Sequence, residues 1–540
     1  MAKGDRIIYF FLNKNKTDGS YKLIDYLGSK GAGLAEMCRL GLPVPAGFTI
    51  SARQCAEFYK NNEKMSGRLK EEVVKAIKVL EKETGKKFGD EKVPLLLSVR
   101  SGSKYSMPGM MDTILNIGLN DKTVDGLAKL TNNKIFALDC YKRLLEMFGS
   151  IVFGIKRENF EKRYQEMTTK LGKDREIFAG AATNIDSGEK EYRVDNTTYR
   201  SRLSEELLLA VIDLYKDIIR KQANKEFPQD VYEQLFIAIE AVFRSWNGER
   251  ARMFRKLNSI PDDAGTAVNI QTMVFGNFGD DSGTGVGFTR NPSTGAKELF
   301  GEYLPNAQGE DVVGGFRTPQ PLVQLEKENK NVYRQLVKSV KLLEKYFKDI
   351  QDFEFTVERG KLYLLQTRSG KRTGIAALNI ALQLVDEGII REREISTRID
   401  YQHIPQLLAD GFEAGALTHA KLLTKGLNAS NGAASGKIVF DPNKAIELAK
   451  QGESIILVRP ETNPDDVYAM SLAKGILTQR GGLTSHAAVV SRHMGKPAVV
   501  GCETISFDFE NNAIKINSTL LKEFDEISID GTTGNVYLGA

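Results

Sequence analysis

The 540-residue chain is poor in the residues that staple, anchor or charge-tag a protein. Its four cysteines, Cys38, Cys55, Cys140 and Cys502, lie far apart with no CxxC pair, which suits reduced thiols and offers neither a disulfide framework nor a zinc site. No apolar run approaches the roughly 20 residues that span a bilayer. The short apolar stretch after Arg6 is soon broken by Asn13-Lys14-Asn15-Lys16, too early for a secretory signal. Basic and acidic groups nearly cancel, 75 against 70, and no basic block stands out, so no nucleic-acid partner is indicated. The expectation is a soluble cytoplasmic protein without a membrane segment. Two nucleotide signatures are missing as well. No GxxxxGK[ST] occurs, and Gly283-Thr284-Gly285-Val286-Gly287 does not fit GxGxxG.

Histidine is scarce too, and one of the four is placed with purpose. His486 stands in Gln479-Arg480-Gly481-Gly482-Leu483-Thr484-Ser485-His486-Ala487-Ala488-Val489-Val490. Gly475-Ile476-Leu477-Thr478 reads as a buried strand and Arg480-Gly481-Gly482 as the turn after it. Thr484 or Ser485 supplies an N-cap hydroxyl, and Ala487 to His493 fits a helix closed by Gly495 and Pro497. His486 then lies in the first helical turn, where free N–H groups and the positive dipole end hold an imidazole neutral. A neutral imidazole is a nucleophile, and a phosphoryl group on it would meet ready-made donors.

The length implies two to four domains. Residues up to about 118 mix strands and helices, and Pro94 to Arg100 reads as a buried strand that ends on a cation. About 119–250 is mostly helical, with amphipathic stretches at Ser204 to Asn224 and Val231 to Trp246. Lysine-rich Lys70 to Lys87 reads as a solvated helix face. About 264–370 is strand-rich, 371–425 is a helical connector, and 426–540 has compact α/β texture. Its strands are expected near 437–440, 454–458, 475–478, 498–500 and 527–529.

The clearest hairpin runs from Asp352 to Arg368, turning at Glu358-Arg359-Gly360-Lys361. Alternation puts Asp352, Glu354 and Thr356 on one face and Phe353, Phe355 and Val357 against a core. The returning strand puts Gln366 and Arg368 on a single face. Carboxylates, an amide and a guanidinium suit a Mg²⁺–triphosphate site, hard oxygens holding the ion and the arginine fork holding phosphate. Arg100, a cation at the end of a Leu-Leu-Leu strand, needs an anionic partner.

The His486 run resembles the phosphohistidine segment of the phosphoenolpyruvate-utilising enzymes, in their pyruvate phosphate dikinase branch. The likeness covers the whole chain. It includes Gly28-Ser29-Lys30-Gly31, Ser98-Val99-Arg100-Ser101-Gly102 and Met107-Pro108-Gly109-Met110-Met111-Asp112-Thr113. Phe243-Arg244-Ser245-Trp246, Thr289-Arg290-Asn291-Pro292-Ser293-Thr294-Gly295 and Asn306-Ala307-Gln308-Gly309-Glu310-Asp311 follow in the family's order.

The resemblance implies a multidomain α/β (α+β) protein. Residues 1–370 would form an ATP-grasp domain with a helical insertion, 371–425 a connector, and 426–540 a swivelling phosphohistidine domain. ATP with inorganic phosphate would phosphorylate His486, giving AMP and pyrophosphate. Lys30, Arg100 and, more weakly, Arg143 match residues that contact ATP phosphates, and Glu302 and Glu310 match acidic positions near the nucleotide. Asp352, Glu354 and Gln366 would serve Mg²⁺, with Arg368 beside them in a catalytic role. Thr484 is a candidate regulatory position. Two departures, Lys104 for arginine and Asn431 for proline, remove no evident catalytic group.

Asp530 to Ala540 resembles the end of the phosphohistidine domain. The expectation is therefore a chain without the family's barrel, its phosphoryl group passing to a separate pyruvate-binding polypeptide, or an excised half of a longer enzyme. The alternatives are a phosphoenolpyruvate synthase-like half-enzyme and a non-catalytic nucleotide sensor or scaffold.

Overall fold

The computed structural model describes residues 6–107, 110–170, 182–183, 190–191, 204–313, 319–401, 403–407, 411–413, 415–418, 420–509 and 511–540. The chain divides into two compact units, Met1–Ser282 with Tyr363–Gln366, and Gly283–Leu362 with Thr367–Ala540. The division falls inside the stretch expected as a single domain, 1–370. The strands on either side of Ser282 find their hydrogen-bond partners in different sheets.

The first unit is built on an antiparallel sheet. Its strands are β1 (Ile8–Phe11), β2 (Gly47–Ile50), β3 (Leu97–Gly102) and β4 (Thr113–Ile117), then a short pair β5 (Ala182–Thr183) and β6 (Lys190–Glu191), and β7 (Ala267–Thr272). The large sheet runs β1-β2-β7-β3-β4. β3 starts at Leu97 and continues to Gly102, so Arg100 is inside the strand rather than at its exit. Pro94 makes only an isolated bridge to Lys87, because proline has no N–H for a ladder.

The helix Ile24–Arg39 is broken at Gly28, whose φ of 66° only glycine adopts cheaply. The expected helices at 204–224 and 231–246 are Glu205–Ala223 and Val231–Ser245. Ser204 caps the first through the Leu207 N–H, and Asp230 caps the second. The lysine-rich helix, Gly67–Thr84, keeps Leu69, Val73, Ala76, Ile77 and Leu80 buried on one stripe.

The second unit holds two sheets that matter for the site. In the first, β8 (Gly283–Phe288), β9 (Phe300–Pro305), β10 (Gln320–Pro321), β11 (Gln351–Glu358) and β12 (Lys361–Ser369) run in the order β10-β9-β8-β11-β12. The expected hairpin is β11–β12. Phe353, Phe355 and Val357 are buried as the alternation requires. β8 is the glycine run that resembled no dinucleotide motif. A Cβ at Gly285 or Gly287 would strike the rings of Phe355 or Phe353, so those glycines make room for aromatics.

The other sheet contains β13 (Leu422–Lys425), β14 (Leu427–Ser430), β15 (Ala433–Val439), β16 (Ile455–Arg459), β17 (Gly475–Thr478), β18 (Ala498–Val500), β22 (Glu526–Asp530) and β23 (Asn535–Leu538). A separate three-stranded sheet holds β19 (Ile505–Asp508), β20 (Ala513–Ile516) and β21 (Thr519–Lys522). β15 to β18 are mutually parallel, joined by helices Pro442–Lys450, Val467–Leu472 and His486–Met494, and antiparallel strands flank them. Parallel strands need such crossover helices. Their core is continuous aliphatic packing of Ile438, Ile456, Val458, Leu477, Val499 and Ile529. β13 pairs with β23, so the last residues assigned to the connector belong to this sheet. Helix Gly374–Asp386 of the connector packs Ala376, Ile380 and Leu384 against Phe288 and Ile350.

Candidate functional site

Register in the hairpin sheet decides which side chains share a face. Glu302 of β9 stands opposite Val286 of β8, and Val286 opposite Glu354 of β11. Residues directly opposite on neighbouring strands project to the same side. The next row is Phe300, Phe288 and Asp352. One face therefore carries Glu302, Glu354 and Asp352.

Asp352 is buried, and its carboxylate accepts from Arg368 Nε at 2.9 Å. Burial raises its pKa above the usual carboxylate range, while Arg368 pulls the other way. Glu354 is only partly buried. Gln366 is buried on β12 among the residues that group with the first unit. Thr356, expected on the polar face, is buried too, so this face is covered rather than washed by solvent. Among the described residues no three His, Cys, Asp or Glu side chains could hold a metal by themselves. The pair Asp352 and Glu354 suits the way Mg²⁺ is held beside nucleotides, by one or two carboxylates completed with phosphate oxygens.

His486 is the first residue of its helix, as expected. Ser485, not Thr484, is the N-cap, its hydroxyl accepting from the Ala488 N–H, and Gly495 closes the helix in the left-handed region. Gly481, at φ 106°, makes the turn out of β17. The loops after β16 and β17 are joined by backbone bonds from Gln479 to Arg459 and from Arg480 to Pro460. That brings Thr462 to the imidazole. Thr462 Oγ1 and His486 Nδ1 are 3.0 Å apart, whereas Nε2 is buried with no hydrogen-bond partner. Burial lowers the histidine pKa to about 4, so the ring is neutral at neutral pH. With the Nδ1 proton donated to Thr462, the lone pair lies on Nε2.

The His486 segment meets the Glu302–Glu354 face at two points. Thr484 Oγ1 donates to the Glu302 carboxylate, and the guanidinium of Arg492 lies over the Phe288 ring at 5.8 Å. Arg492 is 1% exposed and donates to the carbonyls of Ala429 (3.1 Å) and Leu483 (2.7 Å). Burial lowers its pKa to about 10, against the pull of Asp352 and Glu302, so it remains a cation.

The remaining expected residues have different surroundings. Arg100 Nη1 donates to the Leu365 carbonyl at 3.2 Å, and Arg143 Nε to Asp139 at 3.0 Å. Arg100 thus has a carbonyl among its partners where the sequence suggested an anion. Lys30 is half-buried just past the Gly28 break. The Glu310 side chain, and Pro108 and Gly109 of the Met107–Thr113 loop, lie outside the described residues. Lys104 pairs with Asp25 at 2.7 Å on the surface. Arg290, from the Thr289–Gly295 motif, is fully buried between Glu344 and Glu387 and braces the fold.

Thr462 and Arg492 were not picked out from the sequence. For Thr462 the available signal was its place just past a parallel strand next to β17, since α/β sheets bind ligands at carboxyl ends of strands. Arg492 shares the His486 helix, six residues on, but no local pattern separates it from a solvated arginine.

The model of the pyruvate phosphate dikinase AMP/ATP-binding domain matches residues 24–71 and 63–339. That of the mobile domain of PEP-utilising enzymes matches 451–534, which includes His486. Asp352, Glu354, Gln366 and Arg368 fall between the two matches. The chain is similar to "Pyruvate, phosphate dikinase" of Clostridium symbiosum, 46% identical over 97% of this chain and 57% of that protein. It is similar also to the chloroplastic protein of that name from Flaveria pringlei, 44% identical over 98% and 53%. The Giardia intestinalis protein of the same name is 46% identical over 99% and 58%. The chain thus spans a little over half the length of the curated relatives it matches. No helix among the described residues is long and apolar enough to cross a membrane.

Proposed function

Because this chain belongs to the pyruvate phosphate dikinase family, we propose that ATP phosphorylates Nε2 of His486 in a reaction that consumes inorganic phosphate and releases AMP and pyrophosphate. Nε2 forms a bond to the β-phosphorus, and the bond from that phosphorus to the oxygen bridging it to the α-phosphate breaks, releasing AMP. The γ-phosphoryl passes to phosphate, giving pyrophosphate. One observation carries the reading. A neutral imidazole with a buried, unpartnered Nε2 sits on a segment that touches the very sheet face bearing Asp352 and Glu354.

Thr462 holds Nδ1 and so orients the ring, and with the Nδ1 proton donated to it Nε2 is left as the nucleophile. The helix N-terminus favours the arriving negative charge. Asp352 and Glu354 are the ligands for Mg²⁺, which when bound with the nucleotide neutralises phosphate charge. Arg368 holds Asp352 in place and offers its remaining donors to phosphate oxygens. Lys30, Arg100 and Arg143 are assigned to phosphate contacts, and Glu310 to the nucleotide's surroundings, on family likeness. Onward transfer to pyruvate, the acceptor in the relatives' name, is the step proposed next. Thr484 fits regulation because a charged group on its hydroxyl would repel Glu302.

The test is incubation with Mg·ATP carrying labelled β-phosphate, with and without inorganic phosphate. An acid-labile, base-stable adduct of one phosphoryl mass is expected on His486, with pyrophosphate formed when phosphate is present. No adduct on the wild-type chain would overturn the reading. Adduct formation that releases phosphate instead of pyrophosphate would assign water as the second acceptor, as in the synthase-like alternative.

A further inference from the structure

Family likeness assigns Glu302 to the surroundings of the nucleotide, yet its carboxylate points at the His486 loop. It accepts from the Thr484 hydroxyl. The space it fills is left by Gly482. A Cβ there would fall on the Glu302 carboxylate. Gly481 needs glycine for its φ of 106°, but Gly482 is not among the positive-φ residues. At 482 the missing side chain serves close approach alone. From the other side Arg492 holds the Leu483 carbonyl, so the segment is held by an anion on the Thr484 hydroxyl and a cation on the Leu483 carbonyl.

Glu302 stands in the same row as Glu354, two strands away. A bond from Glu302 to the loop therefore sets the loop over the carboxylates assigned to Mg·ATP. We propose that Glu302 is a latch, a positioning residue whose carboxylate seats the Gly482–Thr484 segment on the β8–β9–β11 face and so holds His486 ready to receive phosphate. This deepens the proposed function and rests on it. The latch has to open whenever the histidine segment leaves that face, since the Thr484 hydroxyl and the carboxylate then separate.

Gly482→Ala tests this without touching either partner, because alanine suits the backbone at 482 and its methyl displaces only the end of a flexible side chain. Hydrogen–deuterium exchange of the backbone amides of the 482–485 segment reads how firmly the loop is seated, in the absence of nucleotide. We expect about ten-fold faster exchange in Glu302→Ala and in Gly482→Ala, with Glu302→Gln between these and wild type. Unchanged exchange in both variants overturns the latch.

The second readout is the rate of His486 labelling at saturating Mg·ATP, with the KM for ATP measured beside it. Each variant should slow labelling at little-changed KM. Glu302→Ala combined with Gly482→Ala should be no slower than either alone, since both remove the same contact. Multiplicative losses, or a rise in KM with the rate preserved, would return Glu302 to nucleotide binding and refute the latch. If the wild-type chain does not label at all, the proposed function fails while the exchange experiment still judges the contact.

Discussion

The two ends of the helix His486–Met494 each carry a histidine, and burial lowers both to about pKa 4. By basicity alone the two rings are equals. Their surroundings are not. His486 has Thr462 on Nδ1, a buried unpartnered Nε2, and the dipole's positive end. His493 is the penultimate residue, at the other end, with Lys371 lowering its pKa further and Asp400 opposing. Neutrality is thus a necessary condition for a nucleophilic imidazole and a poor way to find one. What separates the two ends is the hydrogen bond that orients the ring and the electrostatics awaiting an incoming anion.

The strongest way to break this comparison is to exchange the losses. His486→Ala should abolish the acid-labile adduct, while His493→Gln should keep the labelling rate within about three-fold, as for a residue off the reaction path. Equal labelling of the His486 variant would remove the distinction between the ends. Glu354→Ala attacks the sheet face that the His486 segment meets. Labelling should drop about 10²–10³-fold with the circular dichroism spectrum unchanged. A rate near wild type at saturating Mg·ATP would take Glu354 out of the site.

Thr462→Val removes the hydrogen bond that orients the ring and makes His486 resemble any buried histidine. A loss of about 10–100-fold is expected, of the size seen when groups orienting a reactive ring are removed, with Thr462→Ser recovering most of it. The smallest effect concerns pH. NMR of labelled histidines should show both rings titrating near 4 rather than 6.5. The folded state then binds fewer protons than the unfolded chain between about 6.5 and 4. Stability therefore falls as pH drops through that window. An inflection near 6.5 for His486 would mean a solvated ring without the proposed shielding.

Much of this was legible before any coordinates. The strand at 475–478, the turn and the helix that follow were readable because the apolar run, glycines, hydroxyl cap and closing glycine all act locally. The β11 face was readable because alternation is a local rule as well. What escaped were contacts made across long sequence separations. Glu302 and Thr484 are 182 residues apart, and Thr462 reaches His486 only after β16 and β17 pair. The β19–β21 strands mix polar and apolar residues and lack the continuous apolar run that marks β18. Arg100 was misplaced at a strand end because β3 continues through small residues, Ser101 and Gly102, that carry no strand signal of their own.

The row Glu302–Val286–Glu354 also works as a ruler. Its length, about 10 Å for two strand spacings, is set by backbone hydrogen bonds and no side chain can stretch it. Any one-residue slip of β9 or β11 would turn its carboxylate to the opposite face instead of shifting it slightly. The separation between the residue that seats the histidine loop and the residue offered to the metal is therefore quantised. Substitution can change what stands at each mark, but the marks themselves move only if a strand is re-registered by two.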